Sequence, residues 1–327
     1  MSNLAGPSRP AIEVIDLGVP RFLPAGPPRR SAREIWLAAG LFFLTLVTTL
    51  AAGSEFAISY AHNQYPFSST DNLFAPLLLP FRHPSLFLLG IPFALTLLAI
   101  LLAHEMGHFL ACKYYRMDAT YPFFLPSPVL FGTFGALILI RSPFATRRSL
   151  FDVGIAGPIA GFAIAVPAMA WSVAVAKIVP SAPADASILF GTPVLTQIFI
   201  WLFHPHAAPY SVLLNPVGRA AWFGMLATAL NLLPVWQLDG GHIVYSLASN
   251  RHERISIITS LGMIAMGIYY WHAWVVWGVL VLVLSLRFRH PPLLDRWEPL
   301  DASRKLWAVF ALIIFILCFT AWPTNNP

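Results

Sequence analysis

Long apolar blocks, separated by short clusters of arginine and proline, organise this chain. A helix crosses a bilayer with about 20 apolar residues. Blocks of about that length lie at Ile35–Gly53, Leu86–Cys112, Leu150–Val179 and Val217–Leu238. Ile255–Tyr270 and Ala273–Leu286 are shorter and predict a tight helical hairpin, and Leu306–Trp322 predicts a last span. The pattern is that of an all-α polytopic membrane protein with six or seven transmembrane helices. Packing between helices in lipid, not exclusion of water, then sets the core.

The cations between the blocks orient them. Arg29, Arg30 and Arg33 precede the first block; Lys113 and Arg116 follow the second; Arg141, Arg147 and Arg148 precede the third. Arg251 and Arg254 follow the fourth, and Arg287, Arg289, Arg296, Arg304 and Lys305 precede the last. The positive-inside rule puts every cluster, and the N-terminus, on the cytosolic side. Residues 54–85 and 180–216 fall outside, with Arg82 in the first and no Lys or Arg in the second. A bacterial cell membrane is the expected setting. Residues 1–34 are polar and proline-rich and are expected to form a disordered cytosolic tail ahead of a transmembrane domain at 35–327, a short organelle transit peptide being the alternative that Glu13 and Asp16 argue against.

One stretch breaks the helical pattern. Pro122, Pro126 and Pro128 interrupt any helix there, and Phe131–Ile140 reads as a turn followed by a strand. Non-helical backbone is tolerated at membrane depth only where protein or a water-filled cavity covers it. One reading is a re-entrant β-hairpin in which Gly132, Thr133 and Gly135 offer an edge strand to an extended peptide; the other is a surface loop resting on headgroups.

Composition supports the membrane reading, with 57% hydrophobic residues, 10% charged residues and a mean hydropathy of +0.70. The net charge of +6 suggests no nucleic-acid partner, because the cations form no single run. Cys112 and Cys318 sit in or beside apolar blocks and read as buried free thiols.

Against this background His104-Glu105-Met106-Gly107-His108 stands out, because Leu86 to Ala103 contains no charged residue. Ionisable groups at membrane depth are costly and mark functional sites. On a helix the i, i+4 spacing turns both imidazoles to one side, where they can grip one metal ion with Glu105 beside a bound water. Chance alone produces such a motif in this composition about 0.5% of the time. The plainer alternative is a pair of helix histidines satisfied by neighbouring helices, with Glu105 paired to a cation. Asp239 closes the apolar run before two glycines and would complete a His, His, Asp set with a fourth position open to water, the form of a catalytic zinc site. Taken alone, Asp239 could equally be a helix-end charge touching water.

These features together resemble the site-2 protease family of intramembrane zinc metalloproteases. The resemblance rests on HEMGH, on Asn231–His242 (NLLPVWQLDGGH) and, between them, on Phe151–Gly161 (FDVGIAGPIAG), in the family's order. The GTFGA segment, and the lack of any insertion between motifs large enough for a PDZ fold, resemble the cyanobacterial and plastid-type branch. The resemblance implies a catalytic core at about 86–245, followed by C-terminal helices at 255–322. It implies zinc (Zn2+) on His104, His108 and Asp239, Glu105 as the catalytic glutamate, and Asn231 as a substrate or oxyanion contact. His242 is a candidate partner for Asp239 or, as readily, a polar histidine at a helix start. The expected substrates are single-span membrane proteins or signal-peptide remnants, hydrolysed within or near their transmembrane segments. A metal carrier or sensor, or a silent helix-binding scaffold, would use the same ligands but leave Glu105 without a role.

Overall fold

A computed structural model describes residues 31–66, 75–179, 189–288, 290–291, 293, 299–322 and 324–325. The expected tail lies almost wholly outside them. Ser31 caps the first helix, accepting from the Glu34 amide at 3.2 Å, so helix begins three residues earlier than the apolar block.

The described chain is mostly helical. Helix α1 spans Ala32–Ala61 and α2 Ala75–Arg82; a 3-10 turn at Pro84–Gly90 leads into α3, Ile91–Tyr114. Then come the strands β1 (Phe123–Pro126) and β2 (Thr133–Leu137), followed by α4, Arg147–Ala174. Helices α5 (Val194–Phe203), α6 (Pro216–Asn231), α7 (Asp239–Tyr269), α8 (Ala273–Arg287) and α9 (Ala302–Cys318) complete the set. Among the described residues, three segments are long and apolar enough to cross a membrane: Ala32–Ala61, Pro84–Tyr114 and Arg147–Ala174. The 217–238 block yields a helix of only 16 residues, which stops at Asn231 ahead of Pro234. The block at 255–270 belongs to a longer helix, α7, which bends at Ala248 (φ −147°, ψ 64°). Helix α5 lies in a stretch read from sequence as an external connection, and its 10 residues are too few to register as a span.

Helix α4 is the central element, packed along α3, α6 and α7. Its entry is set by a capping box in which the Thr146 side chain accepts from the Ser149 amide at 3.1 Å. Pro158 and Pro167 remain inside it, as neighbouring helices allow in a membrane protein. The buried core joins α1, α3, α4 and α6 through Phe56, Phe93, Ile100, Met169, Trp222 and Met225. Both cysteines are buried and free, as expected.

The proline-broken stretch is a β-hairpin. β1 and β2 pair antiparallel, Phe123 opposite Leu137 and Leu125 opposite Gly135, with a bulge between Leu125 and Pro126. The bulge is filled by Thr133, whose hydroxyl donates to the Leu125 carbonyl at 2.8 Å. Thr48 of α1 holds the turn, its hydroxyl donating to the Gly132 carbonyl at 2.6 Å. β1 is the one strand β2 pairs with among the described residues, so the other edge of β2 is free there.

Candidate metal centre

The i, i+4 histidines lie where helix geometry puts them, on the face of α3 that meets α4. Both are buried, as is Glu105. α4 can come this close because it presents glycine. A Cβ on Gly157 would stand 2.1 Å from His108 Nε2, and one on Gly161 3.3 Å from His104 Nδ1. The glycines of FDVGIAGPIAG are thus the floor beneath the imidazoles. From the same helix the Val153 carbonyl accepts a 2.7 Å hydrogen bond from His108 Nδ1, which leaves Nε2 as the bare lone pair.

Asp239 arrives from the other side. α6 ends at Asn231, the chain turns through Pro234, and Asp239 opens the first turn of α7. The turn is tight enough that a Cβ on Gly240 would lie 2.0 Å from the Leu232 carbonyl oxygen, so only glycine follows Asp239. Its Oδ2 is 3.1 Å from His104 Nε2 and its Oδ1 is 3.3 Å from His108 Nε2. The two Nε2 atoms are 3.1 Å apart. Asn231 adds its amide nitrogen 3.1 Å from His104 Nε2.

The donor set fits a cation. One ligand atom from each of His104, His108 and Asp239 lies within 4.8 Å of the others. Buried Asp239 Oδ2 has no hydrogen-bonding partner despite its short approach to His104. A carboxylate oxygen and two imidazole lone pairs converging without protons between them are what a divalent ion relieves. Glu105 faces the same centre, with His108, His104, Asp239 and the Ile138 amide as the charges and dipoles acting on it.

Two cavities line this cluster, and a third adjoins the second of them. One of about 200 Å3 is lined by His104, Glu105, His108, Ile138, Asn231 and Asp239. A second, about 160 Å3, shares Glu105, Ala136 and Asn231 with it and adds Gly135 and Trp277. The third, about 210 Å3, is almost wholly apolar and lies between Thr133–Gly135 and the aromatic wall of Trp271, Trp274 and Trp277. Gly135 lines the second and third cavities and Thr133 the third, while Gly132 is turned against Thr48 and lines none of the three.

His242 lines the cavity that holds Asp239 but pairs with another histidine. Its Nδ1 is 2.9 Å from His290 Nε2, in the connection after α8, and it makes no hydrogen bond to Asp239. His290 is held neutral by burial, which pushes its pKa down to about 4. Arg304, read from sequence only as one of the orienting cations, donates from Nε to Asp152 Oδ1 at 2.8 Å with Tyr115 on the same carboxylate, tying α9, α4 and α3 together. Asp152, a lone acid inside a glycine-rich apolar motif, was the available signal.

Residues 92–269 match the sequence model of peptidase family M50. The chain is 30% identical over 300 residues to a protein named probable zinc metalloprotease EGY1, chloroplastic, of Oryza sativa subsp. japonica; the match covers 86% of this chain and 49% of that protein. It is 28% identical over 330 residues to the Arabidopsis thaliana protein of the same name, covering 96% of this chain and 58% of the relative. With the Arabidopsis thaliana probable zinc metalloprotease EGY2, chloroplastic, it shares 28% over 304 residues, 90% of this chain and 50% of the relative. The chain thus spans about half the length of the curated relatives it matches.

Proposed function

The chain belongs to peptidase family M50, and from that premise we propose that it is a zinc metalloprotease hydrolysing peptide bonds within or near the transmembrane segments of membrane proteins. The observation that carries this reading is the convergence of His104, His108 and Asp239 with Glu105 on one cavity, under the free edge of β2, among apolar helices. A metal carrier or a silent scaffold leaves Glu105 and that edge without purpose.

His104, His108 and Asp239 would hold the ion. Zinc, when bound there, would supply a water acidified to a pKa of about 7 and a Lewis acid for the scissile carbonyl. Glu105 takes the proton of the attacking water and returns it to the departing amine. Asn231, on the same cavity, donates its amide to the oxyanion that develops on the carbonyl. A substrate helix hides its amides in its own i→i−4 bonds, so the target stretch must unwind; pairing with β2 at Thr133–Leu137 satisfies the freed groups. Thr133 and Gly135 face the substrate, and Gly132 acts through the hairpin's attachment to α1.

In the same reading the hairpin is re-entrant, α6, the α7–α8 pair and α9 add spans to the three long ones, and the N-terminus and metal lie toward the cytosol. That orientation follows the arginine clusters. The setting is a bacterial cell membrane by the same sequence reading, although the matched relatives carry chloroplast names. Substrates are single-span or signal-peptide-like segments. The test is Glu105→Gln: cleavage of a reconstituted single-span substrate falls at least about a thousandfold while zinc content stays at one per chain. Substantial residual turnover removes Glu105 as the base, and a parallel loss of zinc removes the assignment of separate roles.

A further inference from the structure

Arg219, in the first turns of α6, is only 6% exposed. Arginine keeps its charge inside proteins, so burial calls for an anion or a full set of acceptors. Among the described residues it has neither. Its guanidinium lies over the Phe190 ring, 4.9 Å from the centroid, and a ring face replaces only part of the lost hydration. The neighbouring donors are already engaged: the Tyr65 hydroxyl donates to the Tyr210 carbonyl, and Trp222 Nε1 donates to the Gly191 carbonyl at 2.6 Å. A second side chain nearby is also unpartnered. Thr196 of α5 is 2% exposed and its Oγ1 has no hydrogen bond. Arg219 and Thr196 line the same small cavity, about 30 Å3, closed by Tyr65, Tyr210 and Trp222.

We propose that this cavity is a binding site for a carboxylate group. Its volume holds about two waters, which suits the two oxygens of a carboxylate and not the four of a phosphate. The guanidinium fork pairs with those oxygens side by side, the Thr196 hydroxyl gives a third donor, and the α6 N-terminus adds a favourable dipole. The site stands twelve residues from Asn231 on α6 (231 less 219), about 18 Å along the helix, so its occupant does not touch the metal cluster. The proposal does not depend on proteolysis. The carboxylate is that of a small free acid or of an acidic side chain on a peptide at this end of the helices.

The test is the melting temperature of the full chain in detergent, with sodium acetate replacing sodium chloride at constant ionic strength. Wild type gains about 2–4 °C in a saturable manner; Arg219→Gln gains nothing, and Thr196→Val, which keeps the volume if the arginine variant does not fold, gains less than half as much. A capped peptide carrying one glutamate that stabilises at lower concentration than acetate, while its glutamine counterpart does not, assigns the site to a peptide; a response to acetate alone assigns it to a free acid. No response in wild type, an equal response to phosphate, or a response surviving both substitutions overturns the proposal. So does an Asp71→Asn or Asp185→Asn variant that loses as much stability as Arg219→Gln, because the chain would then supply its own partner.

Discussion

Gly157→Ala is expected to empty the metal site without touching a ligand. The added Cβ would meet His108 Nε2 at 2.1 Å, against an ordinary contact of about 3.5 Å. Either α4 or the ring must therefore retreat by more than 1 Å. The ring is held by its hydrogen bond to Val153 on the same helix and by the packing of α3 on α4. Metal–ligand distances tolerate only about 0.2 Å of error, so His108 is pushed out of coordinating range. Losing the support of one ligand costs about 10–100-fold in metal affinity, and a ligand displaced outright should reach the upper end. Gly161→Ala, at 3.2 Å from His104 Cβ, should cost less than tenfold, and Gly262→Ala, with nothing within 4 Å, should cost nothing. The assay is zinc content by elemental analysis of the purified variants, followed by competition against a chelator of known affinity. Gly157→Ala with wild-type affinity would show that α4 does not form the floor of the site and would refute the packing argument.

Other consequences can be checked with the same material. Ile138→Pro, at the end of β2 and on the metal cavity, should lower cleavage at least tenfold while zinc content holds; loss of both together would make it a folding defect. Thr48→Val removes the bond that holds Gly132, at a cost of about 1 kcal/mol in stability, with a larger fall in cleavage than in zinc binding if the hairpin positions the substrate. His290 is kept neutral with a pKa near 4 by burial and by the neighbouring His252, against the Pro291 carbonyl, which favours the protonated ring. Because the unfolded chain takes up a proton near pH 6.5 and the folded chain does not, stability is full above pH 6.5 and declines as pH falls toward 4. Melting curves should show that His290→Gln loses less between pH 7 and 4.5 than wild type does; equal losses would place the acid sensitivity elsewhere.

Much of the site was legible before any coordinates because its signals are local. HEMGH needs only helical periodicity to aim two imidazoles at one point, and Asp239 announces itself as an acid closing an apolar run. The hairpin was legible through its prolines and the strand-like run after Gly132, although β1 was not, since FFLP carries no alternation. What escaped depends on contacts far apart in sequence. The bend at Ala248 has no proline or glycine to mark it. The pairing of His242 with His290 spans 48 positions and that of Arg304 with Asp152 spans 152. Arg219 is a lone cation near the start of an apolar run, and a cation at a helix end ordinarily reaches water; only the structure shows it enclosed. The glycines of FDVGIAGPIAG were recognised as a motif, and their reason, the space beneath His104 and His108, is purely three-dimensional.

The central claim is that His104, Glu105, His108 and Asp239 make a peptidase working inside the bilayer. It is tested most directly by mass spectrometry of a single-span substrate incubated with the purified protein in liposomes and heavy-oxygen water. The account predicts one labelled carboxyl terminus, within the apolar segment and toward its cytosolic end, that disappears when zinc is stripped and returns when zinc is restored. Cuts confined to the soluble flanks, or an intramembrane cut that persists without metal, would contradict it.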